Sequence, residues 1–350
     1  MTDSPPESSL ADARPTLKTI AAETGLAIAT VSRALKDAPD IGEETKRRVR
    51  EAAARLGYRP NRAGVRLRTG KTNVIALVLS TEADVMNHTS QLLYSIARAL
   101  KGTNYHLVVM PFFPDEDPMT PIRYLVETGS ADGIIMNQTR PDDPRVRYMH
   151  DHGFPFATHG RTDMGLSHPY FDYDNEAFAR VAVRALHARG RKRLMIVAPP
   201  RSHSYAHHML TGFADESARL DLSFEVAEGI TSDSPGTQID DAIARRFAAA
   251  NPPDGLVLGS TTATMASVAG AERTGAVLGR DFDAVGKEAI PFLKRFRSAL
   301  IVLPEDVGRA GEFLARAVIA AIERKAPEDS QFLDSPDEAP PAPPTKRETT

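Results

Sequence analysis

Apolar positions follow two different rhythms along the 350 residues of the chain. From residue 15 to 58 they recur every three or four positions, the spacing of one face of an α-helix. Leu17, Ile20 and Ala21 make the first such face, with Thr16 placed to cap the helix start and Thr24-Gly25 to stop it. Val31, Ala34 and Leu35 make the second, over 29–35, ahead of the breaker Pro39-Asp40. Val49, Ala52, Ala53 and Leu56 make the third, over 43–56, closed by Gly57 in the position of a left-handed cap. After residue 72 short apolar runs take over, at 74–79, 106–110, 133–136, 154–157, 170–172, 194–197, 255–258, 281–285 and 300–303. Helical stretches separate them at 91–100, 176–188, 237–250 and 308–323. Such alternation predicts doubly wound parallel sheets. The strands outnumber what one modest sheet holds, so two lobes are expected. The fold class expected is therefore α + α/β, a helix-turn-helix three-helix head followed by two doubly wound parallel-sheet lobes.

Composition adjusts this picture in three places. Residues 1–14 are polar with Pro5 and Pro6, and 326–350 are rich in proline and acid with no aromatic residue after Phe332, so both are expected to be disordered. The chain has no cysteine, which excludes disulfides, thiolate metal sites and cysteine nucleophiles. Its start has no apolar core of the kind a signal peptide needs, and no apolar run approaches the roughly 20 residues that span a bilayer, so a cytoplasmic protein without a membrane partner is expected. Charge is unevenly spread: residues 1–72 carry 14 basic and 9 acidic residues, the remainder 29 and 37. A basic head on an acidic body suits a polyanionic partner for the head alone, or a solvated basic surface.

Two short helices joined by a glycine-containing turn match the helix-turn-helix arrangement, whose second helix enters the major groove with its N-terminal residues toward the bases. Those residues are Ile28, Ala29 and Thr30, followed by Ser32 and Arg33. Arg33 can donate two hydrogen bonds to guanine, whereas Ile28 and Ala29 can only pack, for instance on thymine methyls. The stretch 16–21, then Gly25 to Leu35, then Leu56-Gly57-Tyr58-Arg59-Pro60-Asn61-Arg62-Ala63 closely resembles the head of the LacI/GalR family of repressors. The resemblance implies that Ile28 and Ala29 choose the operator sequence and that Arg33 touches a base. It extends the DNA-contacting set to Thr16, Leu17, Asn61, Arg62, Arg66 and Leu67. The segment 62–72 corresponds to a hinge helix that pairs with its dimer mate in the minor groove and inserts Leu67, a wedge able to kink DNA. Gly64 weakens such a helix by roughly 1 kcal/mol against Ala. Two departures are plain: Ala27 stands where the family usually has a capping serine, and Gly42 where it often has one.

The α/β region, 73–325, resembles the periplasmic-binding-protein-like sensor of the same family, with landmarks at 132–135, Asp174-Asn175, 210–213 and Val285-Gly286. The resemblance implies lobe one at about 73–190 plus 300–325 and lobe two at about 191–299. Ligands of such sheets bind beyond the carboxyl ends of the strands, which directs attention to the polar loops there. The effector set expected is Asp84, Asn137, Arg161, His207, His208, Ser260 and Glu288. Met209, Ser260 and Glu288 depart from the arginine, asparagine and aspartate common in the family. Asp174-Asn175 could touch a ligand, but a helix N-cap explains it as well. His203, His207 and His208 have a spacing that could hold a metal, yet a hydrogen-bonding loop is preferred, and neither metal nor cofactor is expected. With no nucleophile elbow, phosphate loop or zinc signature, an α/β sugar-processing enzyme is disfavoured, and a transport binding protein would need an export signal. The expected function is a homodimeric, sequence-specific regulator on a pseudo-palindromic operator, repressing a carbohydrate operon until a sugar relieves it, a glucoside being the leading candidate. A corepressor-type regulator with a non-sugar effector is the alternative.

Overall fold

A computed structural model describes residues 15–58, 70–80, 86–113, 115–289 and 291–337. It divides into two units, residues 1–72 and 73–350.

The first unit contains α1 (Leu17–Thr24), α2 (Ile28–Ala34) and α3 (Glu43–Arg55). Thr16 caps α1 through a reciprocal pair: its hydroxyl accepts from the Thr19 N–H at 3.3 Å, and the Thr19 hydroxyl accepts from the Thr16 N–H at 3.1 Å. Gly25 ends the helix at φ 67°, a left-handed conformation that glycine adopts without steric cost. Arg48 of α3 donates to the Thr24 carbonyl at 2.8 Å, satisfying one of the acceptors that α1 leaves open. Ile20, Val31, Ala34, Val49 and Ala52 meet in one core, so the three faces read from periodicity do pack on each other. Neither Ala27 nor Gly42 supplies a side-chain cap.

In chain order the second unit runs β1 (Val74–Ser80), α4 (Met86–Ala99), β2 (His106–Phe112), α5 (Met119–Thr128), β3 (Gly133–Met136), α6 (Pro144–Asp151), β4 (Phe156–His159), β5 (Tyr170–Tyr173) and α7 (Asn175–Ala188). It continues with β6 (Arg193–Val197), α8 (Ser204–Arg219), β7 (Ser223–Val226), α9 (Gly236–Ala248), β8 (Gly255–Leu258), α10 (Thr261–Glu272) and β9 (Asp283–Glu288). Then come α11 (Leu293–Phe296), β10 (Ile301–Pro304), α12 (Val307–Ile322), a 3-10 turn and β11 (Gln331–Asp334). Two all-parallel sheets result, ordered β11-β5-β4-β3-β1-β2 and β10-β9-β8-β6-β7. Along β1 the side chains alternate between faces. Ile75, Leu77 and Leu79 join α4 and α12 in one core, while Ala76 and Val78 join α5 and α6 in another. Burial on both faces is why these strands read as continuous apolar runs.

The lobes differ from the expected boundaries. The sequence assigns residues 300–325 to lobe one, but Ile301 and Leu303 of β10 lie in the core of the second sheet, and only α12 packs on the first. Likewise α7, assigned to lobe one, buries Phe178, Val181 and Leu186 against the second sheet. The chain therefore passes between the sheets at Asp174 and at Glu305. The tail expected to be disordered from 326 contributes β11, because Phe332 stacks on Phe171 at 5.4 Å between ring centroids. Strand β7 alternates polar and apolar residues too briefly to register as a run.

Where α8 crosses α7, Gly212 permits contact that no side chain allows: a Cβ there would lie 2.2 Å from the Glu176 carbonyl oxygen. Among the described residues no helix is long and apolar enough to cross a membrane. Gly212→Ala is expected to destabilise the second unit by about 1–3 kcal/mol, the usual cost of overpacking, read as a lower thermal midpoint of that unit. An unchanged midpoint would mean that the two helices are free to separate.

Candidate functional site

Two surfaces carry chemistry, one on each unit. On the first, α2 turns its apolar residues Val31 and Ala34 inward and presents Ile28, Ala29 and Arg33 to solvent. Ile28 is 48% exposed, and an isoleucine left so open at a helix start has no role in the core. Thr30 and Ser32 are half-buried on the same helix, Thr16 is exposed at the start of α1, and Leu17 packs partly against the core. Arg33 forms an ion pair with Asp40 across the turn after α2. Asn61, Arg62, Arg66 and Leu67 lie outside the described residues.

On the second unit a cavity of about 130 Å³ opens where the carboxyl ends of both sheets meet. The first sheet contributes Asn137 and Gln138 after β3, His159 at the end of β4, and Asp172 and Tyr173 from β5. The second contributes loops after β6, β7 and β8, together with Lys287 from β9 and Glu305 after β10. Both chain crossings thus line it.

Lys287 organises the interior. Its ammonium lies 2.9 Å from Glu305 Oε2 and donates to Asn175 Oδ1 at 3.1 Å. It also faces the Tyr173 and Tyr205 rings, 5.3 and 6.0 Å from their centroids. Burial would raise the Glu305 carboxyl, but Lys287 and then His88 outweigh that and hold it well below the usual carboxylate range. Asp172 is the opposite case: burial pushes it up to about 7 despite Arg161 beside it. The Arg161 guanidinium is 3.3 Å from Asp172 Oδ2, yet that oxygen accepts no well-directed hydrogen bond. His159 is lowered to about 3 by burial, with His88 adding to the effect, so its ring is neutral. Burial raises the Tyr173 phenol. His159 Nε2, Asp172 Oδ2 and Tyr173 OH are buried without a hydrogen-bond partner. Three such groups around one cavity mark it as a site shaped for a polar ligand, because each left unanswered costs about 1–3 kcal/mol.

The residues expected from the sequence fall unevenly. Asn137 is buried and lines the cavity. Ser260 lines it too, but its hydroxyl donates to the Ser232 carbonyl at 3.0 Å and accepts from Ala263 N–H at 3.1 Å. Arg161 stands behind Asp172 as its ion-pair partner. His207 is exposed, while His208 is buried beside Asp163 at 3.8 Å, outside the cavity lining. Glu288 is buried facing α11, where its carboxylate accepts from the Phe292 and Leu293 N–H groups. Asp84 lies outside the described residues. Asp174 caps α7 by accepting from Ala177 N–H at 2.9 Å, and the neighbouring Asn175 reaches the cavity, so that pair serves both purposes. His203 is buried and lowered to about 4, burial first and Arg145 second. Sequence reasoning missed Asp172, Lys287, Glu305 and His88. A lysine inside an otherwise buried strand was the one available signal.

The family model described as "Bacterial regulatory proteins, lacI family" matches residues 16–61, and that described as "Periplasmic binding proteins and sugar binding domain of LacI family" matches 72–286. The HTH-type transcriptional regulator AglR of Rhizobium meliloti (strain 1021) is 29% identical over 315 residues, 87% of each chain. Among solved structures, the lac repressor dimer bound to operator and the anti-inducer ONPF superposes with a TM-score of 0.80, covering 93% of this chain and 97% of that one at 18% identity. A transcriptional regulator CelR–cellobiose complex superposes at 0.64, covering 92% and 98% at 21% identity. At these identities the two structures establish the fold.

Asp172 gives a signed pH dependence. Its folded pKa lies above its unfolded value, so between about 4 and 7 the native state holds a proton that the unfolded chain releases. Stability from this group is present below the unfolded pKa and is lost as pH rises through 7. The ligand-free Asp172→Asn variant, which cannot ionise, is expected to gain thermal stability relative to the parent between pH 5 and 8. A difference independent of pH would show Asp172 to be ionised throughout.

Proposed function

The chain belongs to the LacI family of bacterial regulatory proteins, and from that premise we propose that it is a homodimeric repressor of a carbohydrate-utilisation operon whose DNA binding is relieved by an uncharged sugar, a glucoside being the leading candidate. The observation that carries the effector reading is the set of buried unpartnered groups on His159, Asp172 and Tyr173 around one cavity. A carboxylate, an imidazole and a phenol supply acceptors and donors within one small space, the match for adjacent ring hydroxyls. The cellobiose held by the CelR complex is consistent with that chemistry.

In this reading α2 enters the major groove and Arg33 meets a guanine. The paired hinge segments, residues 62–72, set Leu67 into the minor groove at the operator centre, flanked by Arg62 and Arg66. A second copy of the chain covers the exposed apolar residues around edge strand β2, among them Tyr94, Val108, Val109 and Phe113. Apolar surface gathered at one edge in this way calls for a partner. The protein acts by binding, in the cytoplasm with its operator. Ligand changes the lobe geometry and with it the hinge pairing, and the coupling is reciprocal, so DNA weakens ligand binding by the same factor.

Operator binding by purified protein, titrated against mono- and disaccharides and sugar phosphates, tests this directly. Release by one neutral sugar is expected. Tighter binding with a ligand would make the protein a corepressor-type regulator, and indifference to every sugar would remove the sugar reading. Arg33→Ala is expected to lose about 1–3 kcal/mol and to relax preference at one base pair. An equal loss on all sequences would make Arg33 a phosphate contact. Leu67→Ala should reduce DNA bending together with operator affinity, and bending equal to the parent's would rule out the wedge.

A further inference from the structure

We propose that His88, His159 and Glu305 form a binding site for one divalent transition-metal ion of the zinc, cobalt and nickel type, inside the cavity and separate from its effector. The three groups converge on one oxygen. His88 Nε2 is 3.5 Å from Glu305 Oε1, and His159 Nε2 is 3.8 Å from the same oxygen. One ligand atom from each residue lies within 4.8 Å of the others. Zinc bonds to nitrogen and oxygen of about 2.0–2.2 Å place tetrahedral ligand atoms roughly 3.4 Å apart. The three groups are therefore a few tenths of an ångström from ligating geometry at the His–Glu distances.

An ordinary ion-pair cluster explains less. A protonated His88 against Glu305 accounts for the first contact. It leaves His159 unexplained, since its Nε2 is buried, aimed at the same oxygen and without a hydrogen-bond partner. The two rings lie 5.0 Å apart, where two imidazolium ions would repel. Two neutral imidazoles and a carboxylate have no such conflict when a cation stands between them. Glu305 is already committed on one side only: Lys287 occupies Oε2 and leaves Oε1 for the imidazoles. That lysine also neutralises the carboxylate. It disfavours magnesium or calcium, which need several charged oxygens, and favours an ion held by imidazole nitrogen. Three protein ligands leave at least one coordination position open toward the cavity. His88, at the start of α4, and His159, at the end of β4, come from the first sheet's side, whereas Glu305 marks a crossing between the sheets. The ion would thus fasten one lobe to the crossing.

The test uses the full chain, stripped of metal with a chelator and then titrated with Co2+ followed by visible absorption and with Zn2+ followed by calorimetry. One ion per chain is expected, with a cobalt spectrum of low coordination number. His159→Ala and the half-buried His88→Gln are each expected to weaken binding at least about tenfold, while both variants keep operator binding without effector. Absence of binding up to about 100 µM metal, or full-strength binding in both variants, overturns the proposal. The second outcome would move the ion elsewhere, to His203, His207 and His208. Because release of operator by sugar is scored separately, failure of the metal site and failure of the sugar reading are distinguishable. His88→Gln leaves the buried ring in place and keeps the test valid should His159→Ala fail to fold.

Discussion

A lysine inside a parallel sheet is costly unless every direction around its ammonium is answered. In this protein the answers are what hold the sensor's two lobes to one cavity. Lys287 meets a carboxylate at one crossing of the chain, an amide at the other, and two aromatic faces between them. Removing one partner of such a buried pair costs roughly 3–5 kcal/mol, because the other charge is stranded. The crossings are therefore not passive tethers. A ligand that alters the surroundings of Lys287 alters both at once, which is how a small molecule can change the relation between lobes whose cores are otherwise rigid.

The sequence is legible where the physics is local. The Thr16 cap, the Gly25 and Gly57 stops and the three apolar faces of the head each depend on residues within four positions of one another. Strands β1, β3, β6 and β8 announce themselves because burial on both faces requires an unbroken apolar run. The cavity is harder. Lys287 and Glu305 are brought together by the pairing of β9 with β10, and nothing in the periodicity of either strand reports that pairing. Family position points to Glu288 rather than Lys287. Yet successive side chains on a strand point to opposite sides, so once Lys287 enters the cavity Glu288 must leave it, and it caps α11. The lobe boundaries slip for a related reason: strand β10 and helix α12 are consecutive in sequence, and only tertiary packing assigns them to different sheets. The tail shows compositional reasoning losing to a single residue, since Phe332 finds Phe171 and Phe313 and orders the strand around it.

The pairing of Arg33 with Asp40 bears on how the protein ignores the wrong DNA. An unattached guanidinium gains from almost any duplex, because every duplex offers phosphate oxygens and acceptor edges. One already occupied by its own carboxylate gains only where two acceptors replace what is given up, as at the N7 and O6 of guanine. Asp40 acts in this sense as a decoy. It lowers the affinity for all sites by a common amount and lowers it least, after exchange, for the site that matches. For a protein facing a genome of competing sequences, the ratio between right and wrong sites matters more than the strength of either.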